Sequence, residues 1–167
     1  MKTITPSSGP TTSQDSILDR PIWHSEDPSY PSNLPEENAA THIGMYIAWF
    51  ITNFLESDAL KEDNARAIED LRSRKITGRE FLASNCDDIF MLTDLNPDGR
   101  AFTEAYYKQN YFQDFIETFS RENTPPFEVE NSWANYELIA DTLCEAYKQW
   151  KAPSLVAAYS HWWQFWR

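Results

Sequence analysis

Asn38, His42, Tyr46 and Trp49 follow one another at steps of four, four and three residues, which places them on one face of a helix. An imidazole flanked by an amide, a phenol and an indole could line a small-molecule pocket, with His42 as its ionisable member. The bland alternative is that Thr41 and His42 hydrogen-bond to a neighbouring arm or connector and anchor the helix in the core.

No other stretch offers a better start for catalysis. The three histidines, His24, His42 and His161, lie far apart, and no Cys-x-x-Cys pair, phosphate-cradling glycine loop or nucleophile elbow occurs. Asp94-Leu95-Asn96-Pro97-Asp98-Gly99 opens like a calcium loop, but Ala105 stands where the bidentate glutamate belongs. Asn96 or Asp94 capping a helix, with Pro97 in its first turn, is the simpler account. Asp87 and Asp88 follow Cys86 and would raise its pKa, so neither Cys86 nor Cys144 reads as a nucleophile. The sequence therefore predicts a protein that is not an enzyme, with no catalytic, cofactor-binding or metal-ligating residues.

The elements that would hold these residues are helical. Only 4 glycines and few alternating β-branched runs argue against a layered sheet, and 41% hydrophobic with 15% aromatic residues supports a folded core. Ile43, Ile47, Phe50, Ile51 and Phe54 share one side of the stretch 36–56, while Met45, Ala48 and Leu55 cover another. Polar residues interrupt it before the roughly twenty apolar residues of a bilayer span. We expect an all-α, single-domain compact bundle of about six to seven helices around this central helix.

Residues 1–19 read as a flexible Ser/Thr/Pro-rich tail, 20–151 as the helical domain with an extended N-terminal arm, and 152–167 as a C-terminal aromatic helix begun by Pro153. Within the domain, Ser57, Thr77 with Glu80, and Ser132 cap successive helices. The aromatic helix through Phe102–Phe119 should bend near Gln109 and Asn110. A brief extended piece is expected at 89–92.

Asp+Glu 26 against Lys+Arg 14 gives a net charge of -12, which disfavours nucleic acid and anionic lipid and suits a basic partner. The acidic row Glu137, Asp141 and Glu145, the pair Asp87 and Asp88, and the terminal Trp162, Trp163 and Trp166 are candidate partner contacts. The first residues lack the apolar core of a signal peptide, so a cytoplasmic location is expected.

Leu34-Pro35-Glu36-Glu37, followed by Thr41-His42-Ile43-Gly44-Met45 and Ala48-Trp49, resembles the signature of an uncharacterised family of small bacterial helical proteins. The likeness runs on through Phe81-Leu82, Cys86-Asp87 and Trp133. Such proteins are similar in character to immunity proteins from toxin-rich neighbourhoods. The resemblance implies an immunity protein that occludes the active site of a cognate toxin or secreted effector, without cofactors. Small-molecule binding or catalysis at the His42, Tyr46 and Trp49 pocket is the alternative. An adaptor working through the tryptophan-rich end is the third reading.

Overall fold

Residues 41–51 are buried without exception, which makes α2 (Thr41–Thr52) the axis of the fold. The computed structural model describes residues 16–121 and 123–162, with side chains through residue 152. The α-helix starts later than the acidic first turn suggests. Residues Glu36–Ala40 form a tighter 3-10 turn, and the Asn38 amide donates to the Phe127 carbonyl at 2.9 Å rather than facing a pocket. At the other end Phe54 adopts φ 58° and is 67% exposed, so it leaves the core face on which helical spacing places it.

Around α2 the chain lays α3 (Asp58–Asp63), α4 (Ala65–Arg72), α5 (Gly78–Asn85), α6 (Pro97–Tyr106), α7 (Phe112–Ser120) and α8 (Trp133–Trp162), after a short α1 (Pro21–Ser25). The expected all-α, single-domain bundle is the fold observed. Local chemistry explains several starts. Ser57 Oγ accepts from the Leu60 amide at 3.2 Å, and Thr77 with Glu80 forms a reciprocal capping box. Asn96 Oδ1 accepts from the Gly99 amide at 2.9 Å with Pro97 in the first turn, so the calcium-like motif is a helix cap. Pro153 lies inside α8 rather than starting a separate helix; its fixed φ is compatible with helix, and it forfeits one amide bond. Among the described residues no helix is long and apolar enough to cross a membrane.

One small sheet carries the N-terminal arm into the core. β1 (Ile17–Asp19) pairs antiparallel with β2 (Phe90–Met91), with Asp19 opposite Phe90. Leu18 and Asp19 are buried, so the arm's ordered contacts begin inside the stretch read as a tail. Phe90 stacks on Phe50 with ring centroids 5.6 Å apart, which fixes the sheet against α2.

Arg72 closes the C-terminal end of α2. Its guanidinium donates to the Ile51 carbonyl at 2.9 and 3.1 Å and to Glu56 Oε1 at 2.6 Å, and lies 4.1 Å from the Phe54 ring centre. The Glu56 side chain is only 3% exposed. Removing the cation would leave that carboxylate buried and unpaired. Arg72→Ala is therefore expected to destabilise the fold by about 3 kcal/mol in urea unfolding, and a change under about 1 kcal/mol would contradict this role.

Candidate metal and ligand site

His42 sits in the first turn of α2 at 2% exposure, and its Nε2 is buried without a hydrogen-bond partner. A polar atom so placed is unusual, because buried donors and acceptors are nearly always paired. The nearest carboxylate oxygen is Asp19 Oδ2 at 3.6 Å, beyond hydrogen-bond range. On the other side of the same carboxylate, His24 Nε2 lies 2.8 Å from Asp19 Oδ1. The two imidazoles meet edge to face with centroids 4.6 Å apart. One ligand atom each from Asp19, His24 and His42 thus falls within 4.8 Å of the others.

Three different elements deliver these side chains. Asp19 ends β1 and is held by the pairing with β2; Arg20, which precedes the helix, donates its amide to Asp19 Oδ1 at 2.8 Å. His24 lies in α1, which Pro21 starts. Tyr107 donates its hydroxyl to Asp19 Oδ2 at 3.0 Å, and Tyr111 donates to the His42 carbonyl at 2.6 Å. Burial raises the pKa of both phenols well above 10, which keeps them protonated donors. Both belong to a π-helical turn, Tyr107–Tyr111, that replaces the bend expected near Gln109 and Asn110. Widened turns of this kind occur frequently at functional sites.

Electrostatics suit a cation. Burial opposes ionisation of Asp19, but the adjacent His24 and His42 rings outweigh that and hold the carboxyl well below the usual range. Burial lowers the pKa of His42, although the Asp19 carboxylate pulls it the other way. The cluster borders a hollow of about 270 Å³, walled by Leu18, Trp23, Lys108 and Phe112.

Of the stripe read from the sequence, only His42 reaches this hollow. Tyr46 and Trp49 are core residues at 0 and 1% exposure, with Tyr46 Oη 2.9 Å from Thr103 Oγ1 and Trp49 Nε1 donating to Cys144 Sγ at 3.4 Å. Apolar neighbours on all sides of α2 bury the stripe, so the expected four-residue pocket is corrected to a site shared between His42, α1 and β1. Short histidine spacing could not reveal it, because the residues that form it come from separate elements. Among the partner candidates, Glu137 pairs with Arg74 and Glu145 with Lys148, while Asp141 borders a hollow with Asp114 and Glu117. Asp87 and Asp88 take left-handed φ values and are exposed beside a hollow of about 650 Å³, with Arg79. The side chains of Trp162, Trp163 and Trp166 lie outside the described residues.

Burial pushes the Cys86 thiol up to about 12, with Asp94 adding more than Asp87 or Asp88. Burial also pushes Asp94 up to about 6, although its carboxylate accepts the Met91 amide at 2.8 Å. An acid whose folded pKa exceeds its unfolded value near 3.8 stabilises the fold at low pH and loses that contribution as pH rises toward 6. Asp94→Asn keeps the acceptor, so it should gain about 1–2 kcal/mol over wild type at about pH 8 and converge with it below about pH 4. Equal differences at both pH values would contradict the burial account.

No curated protein and no solved structure matches the chain. Residues 17–129, more than half of the chain, match a family described as "Domain of unknown function (DUF7832)". That stretch contains the strand, both histidines, the π turn and the whole wall of the hollow. The chain belongs to this family, DUF7832.

Proposed function

We propose that this protein binds one divalent transition-metal ion through Asp19, His24 and His42 and uses it to hold a small molecule in the adjoining hollow. The observation that carries the reading is the buried, unpartnered Nε2 of His42 aimed toward a carboxylate that another histidine already contacts. Two neutral imidazoles and one carboxylate form a donor set suited to zinc or iron(II), and three protein ligands leave coordination positions open. Metal bonds of about 2.0–2.2 Å place neighbouring ligand atoms about 3 to 4 Å apart; here the two rings lie 2.8 and 3.6 Å from different Asp19 oxygens and the set spans up to 4.8 Å, so binding would require the side chains to adjust. On binding, the ion would take the place of the hydrogen bond between His24 and Asp19. Tyr107 would orient the carboxylate as an outer partner.

The function is thus a metal-dependent small-molecule-binding helical domain, and the open positions would allow a bound ligand to be polarised. Isothermal titration of the full chain with zinc should show one site per chain, and His24→Gln should weaken it. Absence of saturable binding, or binding unaffected by His24→Gln, would overturn the reading.

A further inference from the structure

We infer that the ligand of this site is a small organic carboxylate with a flat apolar body, its carboxylate directed to the metal and Lys108 and its body against Trp23 and Phe112. The inference rests on the metal reading above.

Charge is the first ground. A divalent ion bound by one carboxylate and two neutral imidazoles retains a net positive charge, and apolar walls make that charge harder to screen with solvent. An anionic ligand would neutralise it. Asp19 is the sole acid in the wall around the site, and Lys108 adds a cation. A larger hollow carries Glu36, Glu37, Glu80, Asp87 and Asp88 against Arg20 and Arg79, and the one beside Arg121 carries Asp114, Glu117 and Asp141. Lys108 lies on the π turn, and among the described residues it makes no ion pair. It is therefore free to meet a ligand anion.

Shape is the second ground. Trp23 is 53% exposed on α1, although tryptophan normally buries its large ring. It borders the hollow with Phe112, whose ring centroid lies 4.9 Å from that of His42. Exposed aromatic surface at the mouth of a site offers a stacking partner for a planar body. A volume of about 270 Å³ corresponds to about nine waters at ~30 Å³ each. That suits a single-ring acid.

The test uses the full chain loaded with cobalt(II), benzoate as the probe and benzamide as its neutral counterpart. Cobalt(II) reports its own occupancy through its visible bands, independently of the probe. Benzoate should perturb those bands and bind at least about tenfold more tightly than benzamide. Trp23→Ala and Lys108→Gln, both at exposed positions, should each weaken benzoate by about three- to tenfold while leaving cobalt affinity unchanged. If cobalt binds but benzoate leaves the bands unchanged, or benzamide binds equally well, the carboxylate inference is overturned and the metal reading stands. Benzoate binding that neither variant weakens overturns the inference in the same way. If cobalt does not bind, the metal reading fails and the carboxylate inference fails with it.

Discussion

Replacing Gly44 with alanine should unfold the domain or destabilise it by more than about 4 kcal/mol, the range reserved for severe core lesions. A Cβ at this position would stand 2.3 Å from the Arg79 backbone nitrogen and 2.6 Å from its Cα. The opposing glycine is equally constrained, since a Cβ on Gly78 would lie 1.8 Å from the Gly44 carbonyl oxygen. The two helices touch backbone to backbone here, and no side-chain rotation can relieve the clash. Moving α5 away would open the layer containing Phe81 and Leu82, both wholly buried. Gly44→Ala chains should therefore lose their cooperative thermal transition. A variant retaining the wild-type melting temperature would show that the two helices do not meet in this way.

Only one side of this crossing is legible in the sequence. Periodicity marks α2 as apolar nearly all round, and burial from Thr41 to Ile51 is the direct consequence. The Thr77 capping box and the Asn96 cap depend on neighbours within a turn, so they too can be read locally. Gly44 sits in the most distinctive part of the chain, but its partner Gly78 belongs to another helix, and no periodicity links them. The proposed metal site is hidden for the same reason. Asp19 looks like the end of a polar tail until β1 pairs with β2, and only that pairing brings its carboxylate to His42. Helical spacing singles out His42, which lines the hollow, while tertiary packing turns its companions Tyr46 and Trp49 into core.

His42→Ala should lower metal affinity by more than about 100-fold, beyond the usual effect of losing an outer-sphere partner. The substitution removes a ligand atom that has no structural hydrogen bond to lose. Its effect on the metal-free fold should accordingly remain within about 1–2 kcal/mol, arising from lost ring contacts with His24, Phe112 and Phe115. In wild type, metal at about 100 times its dissociation constant should stabilise the fold by about 2.7 kcal/mol, or roughly 5–10 °C. His42→Ala should lose that increment. Tyr107→Phe, which loses only the hydrogen bond to Asp19, should reduce affinity by about tenfold and keep part of the thermal gain. Equal metal stabilisation in wild type and His42→Ala would place the ion elsewhere.

Anomalous diffraction at the zinc edge from crystals grown with stoichiometric zinc tests the central claim most directly. One strong peak should lie about 2.0–2.2 Å from a carboxylate oxygen of Asp19 and from Nε2 of both His24 and His42. No peak at this cluster, with zinc present in the crystal or bound elsewhere on the chain, would contradict it.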